Sequence, residues 1–126
     1  MGQRKTILFV DDEPGIRDVV SHYIELMDGF NIIFADNALL ALQIFAVNQI
    51  DAIITDLAMP KHDGKEFIEA IHQSGREVPI AVISNLGDVL ADDPTIKKAV
   101  MILPKPISLD EFVLGRHKLV GKKTEL

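Results

Sequence analysis

The stretch KTILFVDDEP, residues 5–14, decides the fold. Its first part, Ile7-Leu8-Phe9-Val10, is a continuous apolar run of strand length. It does not alternate, so it reads as a strand covered on both faces, as in a parallel sheet between helices. Asp11, Asp12 and Glu13 then end the run, and Pro14 suits a first helical turn. Beyond it Ile16, Val19, Val20, Tyr23, Ile24 and Met27 recur at helical spacing.

Four more runs of the same kind follow: Ile32-Ile33-Phe34-Ala35, Ala52-Ile53-Ile54-Thr55, Ile80-Ala81-Val82-Ile83 and Val100-Met101-Ile102-Leu103. Between them lie helical patterns. Asn37 is placed to cap a helix carrying Leu40, Ala41, Ile44 and Phe45, and Phe67, Ile68 and Ile71 mark another. Asp92-Asp93-Pro94 starts a short helix over 94–99 after a loop at 87–93, and Ser108-Leu109-Asp110-Glu111 is a capping box leading into Phe112 and Val113. Phe9, Phe34 and Phe45 are expected in the core. Strand and helix alternating five times predicts an α/β fold, a doubly wound five-stranded parallel sheet of order 2-1-3-4-5 with helices on both faces. Ligands bind such sheets at the carboxyl ends of strands 1 and 3, where the strand order reverses.

Those ends carry Asp11-Asp12-Glu13 and Asp56. Strand 4 ends in Ser84, and strand 5 is followed by Lys105-Pro106. Three carboxylates, a hydroxyl and an amine are therefore predicted to converge. Three carboxylates together repel unless a cation or protons compensate. An all-oxygen donor set suits a hard cation, Mg²⁺ before Zn²⁺. A carboxylate can also be the nucleophile of phosphoryl transfer, and metal, ammonium and hydroxyl would frame the transferred charge.

The chain has 126 residues, with 13 Lys+Arg against 19 Asp+Glu and a formal charge of −6. That predicts one domain over 1–126 and argues against binding of nucleic acid or an anionic membrane by this surface. No apolar run approaches the roughly 20 residues of a spanning helix. With Cys 0, disulfides, thiol catalysis and cysteine-zinc sites are excluded, and a cytoplasmic setting fits. His22, His62, His72 and His117 lack ligand spacing and are expected on surfaces or helix faces.

Asp11-Asp12-Glu13-Pro14, Asp56-Leu57-Ala58-Met59-Pro60 with Asp63-Gly64, Ser84 and Lys105-Pro106 together closely resemble the receiver domain of two-component response regulators, over roughly residues 5–120. The resemblance implies a flavodoxin-like receiver fold in which Asp56 accepts a phosphoryl group from a phosphohistidine. The donor would be a sensor histidine kinase or a histidine phosphotransfer protein. It implies Mg²⁺ held by Asp12, Asp56 and the backbone carbonyl of Ala58, with Asp11 acting largely through water. Ser84 and Lys105 would hold phosphoryl oxygens, with a cis peptide between Lys105 and Pro106. Such a domain is not an enzyme beyond self-phosphotransfer and slow autodephosphorylation. Its output would be an output domain outside this chain or a receiver homodimer.

The sequence departs from the family in its switching half. Ile102 stands where receivers carry Tyr or Phe, Asn85 replaces a small residue, and a Gly-Ala pair before strand 5 is absent. The usual readout by an inward-swinging aromatic is thus not available. Ala58 and Leu86, at the positions that tune dephosphorylation in the family, offer no acid or base to orient water, so slow loss of phosphate is expected.

The main rival reading is a pseudo-receiver acting as a phosphorylation-independent interaction module, against which the complete acceptor set argues. A flavodoxin-like flavin carrier would need a hydroxyl-rich phosphate cradle where this chain has Asp11-Asp12-Glu13. A haloacid-dehalogenase-type phosphatase would place its nucleophile at strand 1 and carry a cap.

Overall fold

The structure, a computed structural model, describes residues 4–26, 29–56, 64–84, 101–104 and 108. The elements are β1 (Lys5–Val10), α1 (Pro14–Glu25), β2 (Phe30–Ala35), α2 (Ala38–Val47), β3 (Ala52–Asp56), α3 (Gly64–Gln73), β4 (Ile80–Ser84) and β5 (Met101–Pro104). The loop at 87–93, the helices expected at 94–99 and after Ser108, and the peptide between Lys105 and Pro106 lie outside the described residues.

All five strands pair in parallel in the order β2-β1-β3-β4-β5, as the sequence pattern predicts. Successive side chains of a strand point to opposite faces, and the core divides accordingly. Leu8, Val10, Ile53 and Val82 pack under Phe45 of α2 and Phe67, Ile68 and Ile71 of α3. Ile7, Phe9, Ile54 and Ile83 face the other way, under Val20 of α1. Both faces of the central strands are dry, which explains why their sequences do not alternate.

Asn37 caps α2 as its position suggests, its Oδ1 accepting from the Leu40 N–H at 2.8 Å. One apolar expectation needs correction. Phe34 lies on edge strand β2 and is only half-buried; it makes an edge-on contact with Phe9 at 5.7 Å, and the Arg17 guanidinium sits 5.5 Å above its ring. Val19 is 42% and Leu40 37% exposed, because in each helix the buried neighbour, Val20 or Ala41, takes the inward direction. His22 and His72 are exposed on α1 and α3 as expected.

Two polar ties were not foreseen. Asp51 accepts the Thr6 N–H at 2.7 Å and gives its own N–H to the Thr6 carbonyl at 2.8 Å, joining the entry to β3 onto β1. Arg76 closes the C-terminus of α2. Its Nη1 donates to the Phe45 carbonyl, its Nη2 to the Asn48 carbonyl at 3.0 Å, and its guanidinium lies 3.8 Å over the Phe45 ring. These bonds occupy carbonyls that a helix end leaves without intrahelical partners. Before Arg76, Gly75 adopts φ +84, a left-handed conformation that ends α3 and that a Cβ would oppose.

Candidate functional site

The register fixes which strand ends meet. Val10 pairs with Thr55, so the next residues, Asp11 and Asp56, leave the sheet side by side. The Asp11 N–H donates to the Ala35 carbonyl at 3.0 Å, which extends the β1–β2 ladder one residue past β1. The Asp11 Oδ1 accepts the Glu13 N–H at 2.9 Å, a tight turn made by a side chain two residues back. Glu13 is extended, at φ −89 and ψ 118, as a residue before proline must be, and α1 begins at Pro14. This turn holds Asp11 inward and leaves Asp12 partly exposed beside it.

Asp56 closes β3 opposite Ile83 of β4. It is 3% exposed and Asp11 is 1% exposed, so two carboxylates are buried at the sheet end. The buried Thr55 hydroxyl donates to the Asp56 carbonyl at 3.1 Å, occupying a backbone acceptor beside the site. Asp11, Asp12 and Asp56 each bring one carboxylate oxygen to within 4.8 Å of the others. Such a group could hold a metal ion. Three like charges at this spacing are held apart at a cost that a cation removes, and oxygen-only donors select a hard one.

The strand ends that bear the remaining predicted residues lie on the same side of the sheet order, β4 next to β3 and β5 beyond β4. Ser84 terminates β4, paired with Pro104 of β5, and Lys105 follows Pro104 in the chain. Ile102 pairs with Val82 and is 42% exposed. Ala58, Leu86, Lys105 and Pro106 lie outside the described residues. The Asp11–Glu13 turn and the Thr55 hydroxyl support the site without having been singled out in the sequence. An Asp three residues before a proline is the one local signal that points to the turn.

A family model described as the response regulator receiver domain matches residues 7–114. The chain belongs to this family. The receiver is 29% identical over 127 residues to the response regulator MprA of Mycobacterium sp. (strain KMS), covering 94% of this chain and 51% of that protein. It thus spans about half the length of the curated relatives it matches. Among solved structures it resembles a response regulator receiver domain protein from Clostridium thermocellum (TM-score 0.80, 26% identity, 94% of this chain and 96% of that one). It also resembles the chemotaxis protein CheY4 of Vibrio cholerae (TM-score 0.82, 25% identity, 92% and 98%). The receiver is accordingly a component of two-component signalling. Among its described residues, no helix is long and apolar enough to cross a membrane.

Proposed function

We propose that this receiver is a phosphoacceptor whose nucleophile is Asp56, charged by a sensor histidine kinase or a histidine phosphotransfer protein. The observation that carries the reading is the meeting of three carboxylate oxygens within 4.8 Å where β1 and β3 end, with two of the three residues buried. A structural cap or turn would need one such carboxylate, as Asp11 supplies for Glu13, and not three together.

In the reaction, an oxygen of the Asp56 carboxylate bonds to phosphorus as the bond from phosphorus to the donor imidazole nitrogen breaks. The electron pair leaves with the ring, which takes up a proton, and an acyl phosphate remains on Asp56. The end of β3 fixes the nucleophile, so little ordering is left for the encounter. Asp12 and Asp56, with Asp11 through water and the Ala58 carbonyl, are the residues that would hold Mg²⁺. When bound, Mg²⁺ neutralises the charge of the carboxylates and of the phosphoryl oxygens. The Ser84 hydroxyl and Lys105 ammonium are assigned the phosphoryl oxygens, Ser84 as a hydrogen-bond donor and Lys105 as a point charge. The Asp11–Glu13 turn holds Asp11 inward beside Asp56, with Asp12 partly exposed next to it.

Ala58 and Leu86 bring no group that could orient a hydrolytic water, so the acyl phosphate persists; Ala58→Asn is expected to shorten its lifetime. Incubation with acetyl phosphate and Mg²⁺, followed by intact mass, tests the reading. A gain of one phosphoryl group, absent in Asp56→Asn and absent without Mg²⁺, is expected. No gain under conditions that preserve acyl phosphates would overturn it and leave a phosphorylation-independent interaction module.

A further inference from the structure

Helix α2 is unlike an ordinary surface helix. Its sequence, ALLALQIFAV over Ala38–Val47, contains no charged residue and one polar residue, Gln43. Ala41 and Phe45 account for the face turned to the sheet, yet Leu39 is 57%, Leu40 37% and Val47 81% exposed. Near the start of the helix, Ala38, Leu39 and Leu42 join Phe67 of α3 in walling a cavity of about 250 Å³, open to solvent. Among the described residues lining it, the charged one is Glu66, exposed in the first turn of α3. Asp36, also exposed, lies two residues before α2.

The geometry points to this slot as the docking site for a cationic amphipathic helix of a partner protein, an apolar anchor entering between α2 and α3 and a Lys or Arg meeting Glu66. Three observations choose this occupant. The slot is concave and apolar with a carboxylate at its edge, the pattern of a groove that takes an anchor and a neighbouring charge. The chain carries −6 overall, which draws a basic segment and repels an acidic one. A second copy suits it less well, because a two-fold contact sets the same acidic-edged patch on both sides and supplies no cation from the patch itself. The slot opens at the N-terminal ends of α2 and α3, the end of the molecule that carries Asp56. The inference does not depend on whether Asp56 accepts phosphate.

The test is an amide NMR titration of the intact chain with a short synthetic helix bearing leucine along one face and lysine on the other. Shifts are expected to centre on Ala38, Leu39, Leu42, Glu66 and Phe67. Leu39→Asp, at an exposed position and with its fold checked by circular dichroism, is expected to weaken binding about tenfold or more. Glu66→Lys is expected to weaken the lysine helix and to favour the same helix with glutamate in place of lysine. Absence of binding, shifts centred elsewhere, or indifference to the Glu66 reversal would overturn the proposal. So would peptide-free self-association that Leu39→Asp abolishes, which would assign the face to a second copy.

Discussion

Removing one charge from the acidic group is expected to stabilise the protein while destroying its response to a divalent cation, and Asp12→Asn is the cleanest such change. Asp12 is the least buried of the three, so its amide meets water and no packing is lost. Its carboxylate oxygen lies within 4.8 Å of one from Asp11 and one from Asp56. At that distance each pair of unit charges repels by about 3.5 kcal/mol at an effective dielectric near 20, and by about 0.9 kcal/mol in bulk water. Partial exposure places Asp12 toward the watery limit, so relief of two repulsions is worth about 1–2 kcal/mol at low salt.

In EDTA, Asp12→Asn is therefore expected to raise the midpoint of thermal unfolding by about 3–8 °C. The gain should shrink as salt screens the charges. Mg²⁺ favours the wild type over the variant. It stabilises the wild type by about 1.4 kcal/mol for a tenfold excess over its dissociation constant, and the variant far less. The difference seen in EDTA should close or reverse when Mg²⁺ saturates. Unfolding followed by far-ultraviolet circular dichroism, with EDTA or Mg²⁺, reads all of this. A variant less stable than wild type in EDTA, or one stabilised equally by Mg²⁺, would refute the reasoning.

Two further outcomes follow from the packing. Arg76→Ala removes two charge-assisted bonds to the Phe45 and Asn48 carbonyls and the stacking on Phe45, and should cost about 2–4 kcal/mol in urea unfolding, with Arg76→Lys recovering only part because an ammonium lacks the planar fork. Asn37→Ala leaves the Leu40 N–H without its side-chain acceptor and should cost about 1 kcal/mol in the same assay.

The architecture was legible because each central strand is buried on both faces, so its hydrophobic run is unbroken and bounded by Asp, Asn or Pro. Five such runs alternating with helices suggest the common doubly wound order, which sets β1 beside β3, and the register of Val10 with Thr55 then brings Asp11 beside Asp56. Sequence alone fell short where a residue's environment depends on position within the sheet or around a helix. Phe34 resembles Phe9 in its local sequence, but β2 has a neighbour on one side only, and the ring ends up half-buried under Arg17. Leu40 belongs to a helix whose one polar residue is Gln43, so hydrophobicity could not say which of the apolar ones face inward. Arg76 had no local signature at all, because its partners lie 31 and 28 residues back along the chain. Asp51 likewise reaches 45 residues to Thr6. Long-range polar ties of this kind are chosen by the finished fold, and only the packed structure reveals them.

The central claim is that Asp56 itself carries the phosphoryl group, and borohydride trapping tests it most directly. The chain is incubated with acetyl phosphate and Mg²⁺, reduced so that an acyl phosphate becomes an alcohol, digested and mapped by tandem mass spectrometry. The account predicts homoserine at position 56 and unmodified aspartate at positions 11 and 12. Reduction at Asp11 or Asp12, or no reduced residue in a sample whose intact mass shows a phosphoryl group, would contradict it.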